Sequence, residues 1–168
     1  MQTFQEWLDE ARVMILPIKK IEKMGMLDKL PPEAEHGAYL DADKFDFKPM
    51  KEEMSFKEQL VHIGENIYWL SSNYIKEEKN PIKTIKNRAS EMNKEQVLEF
   101  VASAYENALK AMKELDEKTL SKEFNWSGGK MNKFQFLNLI QDHQSHHVGQ
   151  LIVYLRLNGI APPKYIGW

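Results

Sequence analysis

Three segments of the chain begin with the same helix-start signature. Each pairs a capping residue with a Glu or Gln three positions later: Ser55 with Glu58, Asn93 with Gln96, and Asn132 with Gln135. In such a capping box each side chain can satisfy the free backbone N–H of the other residue. Apolar residues recur at helical spacing after each signature, and no convincing run of alternating β-branched residues is found. The pattern predicts an all-α fold.

Four helices account for the periodic segments. The first is predicted over residues 4–18, where Pro17 removes a backbone donor and kinks or ends the helix. The second runs from 55 to about 76, the third from 93 through 112, and the fourth from 132 to Gly159, a left-handed cap ahead of two prolines. A four-helix bundle is the economical arrangement, and bundles place metal and ligand sites between facing helices.

The connections between these helices are long. Residues 25–50 contain three prolines and two glycines and are predicted to be irregular, and the segment WSGGK at 126–130 is predicted to be a turn. With 168 residues, of which 42% are hydrophobic, the chain is long enough for one core and too short to argue for two. A single domain over residues 1–168 follows.

Composition excludes several classes of function. The formal net charge is −2 and the basic residues are scattered, so nucleic-acid binding is not expected. The absence of cysteine removes disulfides, thiolate metal sites and cysteine nucleophiles. The first twenty residues carry acidic side chains and no uninterrupted apolar run, so neither a signal peptide nor a membrane span is predicted. A cytoplasmic protein without membrane partners is expected.

Three of the five histidines fall within five positions of the fourth predicted helix. At about 100° per residue, His143 and His147 lie about 40° apart and face the interior of the bundle, whereas His146 falls at the rim or surface. Histidines at i and i+4 can present two imidazoles to one metal ion, as in helical zinc motifs. Two ligands do not make a stable site, so a third is needed.

His62 is the favoured third ligand, because it lies at the edge of the apolar face of the second helix among polar side chains. The other candidate, His36, lies in the irregular connection and is more simply a surface histidine. Three imidazoles with room for water would give the open coordination of a catalytic ion, and neutral imidazole suits zinc, nickel, iron or copper. The alternative is a pair of partly buried, hydrogen-bonded histidines without a metal.

Two glutamates near His62 have different interpretations. Glu58 is already explained by its capping role. Glu65 has no such role, which makes it the candidate catalytic residue, either as a proton carrier or as a partner of a metal ligand.

Several segments resemble the DinB-like, or YfiT-like, family of metal-binding four-helix bundles. The C-terminal signature is the pair His143 and His147 followed by Gly-Gln-Leu and Tyr-Leu-Arg steps, within HHVGQLIVYLRLNGIAPPKYIGW. FDFKP at 45–49, MSFKEQLVHIGENIYWL at 54–70 and KNPI at 79–82 are also similar to the family. The resemblance covers residues 45–168, and the first 44 residues match poorly.

The resemblance implies a divalent ion, nickel or zinc, held by His62, His143, His147 and water, frequently in a homodimer. Relatives include S-transferases that use low-molecular-weight thiols such as bacillithiol or mycothiol, and a thiol-dependent isomerase. Val148 stands where the family usually has Arg, so any contact made by that arginine is missing here.

Two hypotheses follow. In the first, the protein is a metal-dependent enzyme acting on a small molecule, with thiol S-transfer the favoured reaction and metal-dependent hydrolysis the second choice. In the second, it is a non-catalytic, dimeric stress-response module whose aromatic tail PPKYIGW forms the interface.

Overall fold

The structure is a computed structural model that describes residues 42–78 and 88–162. The predicted first helix, His36 and the tail beyond Pro162 lie outside the described residues. Helices in the described part are α1 (Ala42–Phe45), α2 (Phe56–Leu70), α3 (Lys94–Lys113) and α4 (Lys133–Leu157). Shorter elements are a π-helical turn that continues α2 (Ser71–Ile75), 3₁₀ turns at Arg88–Glu91 and Glu117–Thr119, and strands β1 (Glu123–Trp126) and β2 (Gly129–Asn132).

All three predicted capping boxes form. In the first, the Ser55 backbone N–H donates to Glu58 Oε2 at 2.6 Å, and the Glu58 N–H donates to Ser55 Oγ at 3.1 Å. The same reciprocal bonds start α3 and α4. Gly159 has φ 73°, as predicted for the residue after the fourth helix. The starts of the three long helices are therefore fixed by local hydrogen bonds that the sequence prescribes.

α2 is the central element of the described part, because it packs against both α3 and α4. Ile63 and Ile67 of α2 are 0% and 1% exposed, and they share the core with Val97 of α3 and Phe136 of α4. Gly64 lies where α2 packs tightly against α3, since a Cβ built on it would lie 2.8 Å from Phe100 Cε1. The mainly helical fold is confirmed, whereas the four-helix bundle stays a prediction because the first predicted helix lies outside the described residues.

A short β-hairpin precedes α4, so the expectation of an all-α chain is wrong at this point. β1 pairs antiparallel with β2, with Phe124 opposite Met131, around the turn predicted at 126–130. The strands have four residues each, and β1 alternates exposed polar residues with half-buried aromatic ones. Four residues without β-branched side chains are too few to produce a recognisable strand pattern.

The hairpin contributes two rings to an aromatic cluster at one end of the α2–α4 interface. The cluster consists of Trp69, Tyr74, Phe124, Trp126 and Phe136. Tyr74 stacks on Phe136 with ring centroids 3.9 Å apart, and Trp69 lies 5.5 Å from Trp126. These contacts fix the hairpin against both helices and hold α4 at a defined distance from α2.

A buried lysine ties the end of α2 to the start of α4. The side chain of Lys133 is 5% exposed, and its Nζ donates to the Ile75 carbonyl at 2.9 Å and pairs with Glu77 Oε1 at 2.8 Å. Glu77 also pairs with Lys122 and adopts φ 60°.

Within the described residues, no helix has the length and apolar character needed to cross a bilayer.

Candidate metal centre

Three histidines meet between α2 and α4. His62 projects from α2, and His143 and His147 project from successive turns of α4. One ring nitrogen of each histidine lies within 4.8 Å of those of the other two. The Nε2 atoms of His62 and His143 are 3.1 Å apart. The packing of α2 against α4 thus brings together the three residues that the sequence singled out.

The spacing of these nitrogens fits a shared cation. Two imidazole nitrogens bound to one zinc ion at about 2.0–2.1 Å in a tetrahedral site lie about 3.3 Å apart. The separation of 3.1 Å between His62 Nε2 and His143 Nε2 is close to that value. A hydrogen bond between two neutral rings would give a similar separation, but it would join two rings only. A hydrogen bond does not explain why a nitrogen of His147 also lies close to the other two, whereas a shared cation does.

The environment keeps all three rings uncharged near neutral pH. Burial lowers the pKa of His62, His143 and His147. The pKa of His143 falls to about 4, because the positive forms of His147, His62 and His146 would add repulsion to the loss of hydration. Neutral imidazole is the form that binds a metal ion, so the rings do not first have to lose a positive charge at neutral pH.

The group contains three protein ligands and no more. Among the described residues, no Asp or Glu joins the three histidines, and the sequence has no cysteine. Sites with three protein ligands leave a position for water or substrate, whereas structural zinc sites are closed by four. The donor set therefore fits an open divalent-metal site.

Gln59 also belongs to this site, although it was not predicted from the sequence. It lies one turn before His62 on α2, is 0% exposed, and its Oε1 atom lies 2.6 Å from His147 Nδ1. Its position on the same side of the second helix as His62 could be read from the sequence. Its partner could not, because the two residues are 88 positions apart.

The other candidate residues fall outside the group. His146 is exposed, as predicted. Glu58 caps α2 and pairs with Lys48, which holds the pKa of its carboxyl below the usual range. Burial raises the pKa of Glu65, whose Oε1 atom has no hydrogen-bond partner among the described residues, and Arg88 opposes that shift. A catalytic role for Glu65 stays a prediction.

The fold and the site define a mainly helical protein with a candidate three-histidine metal centre between two helices. Residues 34–166 match the model of the DinB family, and the chain belongs to that family. The resemblance inferred from the sequence motifs is confirmed, and the match begins about ten residues earlier than those motifs did.

A relative from Bacillus subtilis (strain 168) supports the same assignment. The chain is 29% identical to the uncharacterized protein YjoA over 124 residues, which cover 71% of this chain and 77% of YjoA. It also resembles the crystal structure of the DinB-like protein YjoA from Bacillus subtilis, with a TM-score of 0.59 and 25% sequence identity. That likeness covers 75% of this chain and 82% of the crystallised one.

Proposed function

We propose that the protein is a metal-dependent enzyme that holds one divalent cation, nickel or zinc, through His62, His143 and His147. The observation that carries the proposal is the convergence of three uncharged imidazoles from two helices with no fourth protein ligand in the described residues. Membership of the DinB family is compatible with it. When bound, such an ion lowers the pKa of water or of a thiol and so supplies a nucleophile near neutral pH.

The chain's own residues would hold the ion and shape its surroundings. The two turns of α4 fix the spacing of His143 and His147, and α2 supplies His62 from the opposite side. The aromatic cluster around Trp69 and Trp126 packs at one end of the α2–α4 interface. A thiol nucleophile would have to come from a small-molecule co-substrate, because the chain has no cysteine. Thiol S-transfer is the reaction class that we propose.

The proposal is tested first by elemental analysis of the protein purified after growth with nickel and zinc. We expect close to one equivalent of metal in the wild type and in His146→Ala, the matched control on the same helix. His62→Ala and His143→Ala should each lose most of it. Less than a tenth of an equivalent in the wild type would overturn the metal assignment.

The reaction class is tested on metal-loaded protein with two panels of substrates. One panel pairs low-molecular-weight thiols with electrophiles, and the other contains esters and amides in water. Thiol consumption that requires metal and is lost in His62→Ala supports S-transfer. Metal-dependent turnover of the second panel alone would replace S-transfer with hydrolysis.

A further inference from the structure

We propose that Gln59 is a positioning residue that holds His147 as the Nδ1–H tautomer, so that the Nε2 lone pair faces His62 and His143. No part of the sequence motif assigns a role to this glutamine. The tautomer is a property of the protein without metal, and only its consequence for metal affinity rests on the proposed function.

The geometry of the contact determines the tautomer. An amide oxygen can only accept a hydrogen bond, so the 2.6 Å contact between Gln59 Oε1 and His147 Nδ1 places the hydrogen on Nδ1. A neutral imidazole carries one N–H, which leaves Nε2 with its lone pair. Gln59 is 0% exposed and His147 is 6% exposed, so water does not compete for this bond.

The opposite orientation of the amide would have the opposite effect. The Gln59 NH₂ group would donate to His147 Nδ1, and the ring proton would move to Nε2, where it would exclude a cation. In the structure the Nε2 atom of Gln59 points away from His147 and has no hydrogen-bond partner among the described residues. The orientation of the Gln59 amide therefore decides whether Nε2 of His147 carries a lone pair that can bind metal or a hydrogen that prevents it.

A second amide provides the comparison. Gln150 lies one turn along α4 from His147, and its Oε1 atom has no hydrogen-bond partner among the described residues. It is half-buried, whereas Gln59 is fully enclosed between the two helices. If either amide acts on His147 merely by filling space, replacement of the two should have similar effects. The geometry assigns the tautomer to Gln59 alone.

The experiment is ¹⁵N NMR of the His147 ring in metal-free protein, at a pH where the ring is neutral. Four proteins are compared: the wild type, Gln59→Met, which keeps the length but has no acceptor, Gln59→Glu, which keeps an acceptor, and Gln150→Met. We expect Nδ1–H in the wild type, Gln59→Glu and Gln150→Met. Gln59→Met should shift toward Nε2–H. Its affinity for Zn²⁺, measured by competition with a chelating dye, should fall about 10- to 100-fold relative to the wild type.

The outcomes separate this inference from the proposed function. Nε2–H in the wild type, or Nδ1–H in a folded Gln59→Met, would overturn the inference. If Gln59→Met does not fold, Nε2–H in Gln59→Glu has the same consequence, because a carboxylate accepts but does not donate. If the tautomer changes with Gln59 as expected but the protein binds no metal, the inference about Gln59 is supported and the proposed metal-dependent function is wrong.

Discussion

The Nε2 atoms of His62 and His143 face each other at 3.1 Å across the α2–α4 interface. Both rings are uncharged near neutral pH, because burial lowers the pKa of each. Two lone pairs at that distance repel unless a proton or a cation lies between them. The two rings can therefore share either a proton or a cation. The third imidazole, from His147, favours the cation.

Metal binding should raise the thermal stability of the protein. A ligand that binds only the folded state at about 100 times its Kd stabilises that state by about 2.7 kcal/mol. We expect Zn²⁺ or Ni²⁺ to raise the Tm of the wild type and of His146→Ala by several degrees. The same ion should leave the Tm of His62→Ala almost unchanged. Differential scanning fluorimetry with and without a chelator measures this, and an equal shift in His62→Ala would place the ion elsewhere.

Gly64 should not tolerate a side chain. A Cβ at this position would lie 2.8 Å from Cε1 of Phe100 in α3. Gly64→Ala should lower the free energy of unfolding by about 1–3 kcal/mol, because the core would be overpacked. Gly149→Ala is the matched control, since no atom lies within 4 Å of its added Cβ. In the middle of α4 this change should stabilise by about 0.5–1 kcal/mol. Urea denaturation of both variants checks the sign of each effect.

Features of the fold that depend on residues close together in the sequence could be predicted, and features that depend on residues far apart could not. The capping boxes at Ser55, Asn93 and Asn132 are interactions across three residues, and all three were predicted correctly. The π-helical turn at Ser71–Ile75 was missed. Some of the residues that contact this turn are distant in sequence, since Asn107 of α3 donates hydrogen bonds to the hydroxyls of Ser71 and Ser72.

The site shows the same division. The i, i+4 spacing placed His143 and His147 on one face of one helix, and the edge position of His62 suggested the partner. The bond from His147 to Gln59 depends on the register of α2 against α4, which no spacing within one helix reveals. The left-handed backbone of Glu77 was also not predicted, because glutamate seldom adopts it.

Loss of an N-cap should destabilise the helix that carries two of the histidines. The Asn132 side chain accepts from the Gln135 N–H at 2.9 Å, and the Gln135 side chain accepts from the Asn132 N–H at 2.8 Å. Asn132→Ala should reduce the free energy of unfolding by about 1 kcal/mol, whereas Asn132→Asp should retain most of it. Asn125→Ala, an exposed change in β1, should stay within about 0.5 kcal/mol. Equal losses in Asn125→Ala and Asn132→Ala would argue against a specific capping effect.

The charge on Glu77 should stabilise the fold in a pH-dependent manner. Hydrogen bonds from Lys122 and Lys133 lower the pKa of its carboxyl in the folded state. The stabilisation is therefore complete above the pKa of the unfolded chain, about 4.3, and is lost as pH falls through the lower folded value. At neutral pH, Glu77→Gln leaves the buried Lys133 ammonium without its counter-charge. Because the Glu77 side chain is 34% exposed, we expect a loss of about 1–3 kcal/mol, less than for a fully buried pair.

A matched variant separates this effect from a general change in surface charge. Glu114 pairs with Lys110 at 4.0 Å, and both side chains are more than half exposed. Glu114→Gln should change the free energy of unfolding by less than about 0.5 kcal/mol at any pH. In urea denaturation at a series of pH values, the Glu77→Gln and wild-type curves should differ at neutral pH and converge in acid. A constant difference across that range would mean that the charge of Glu77 is not the cause of the difference.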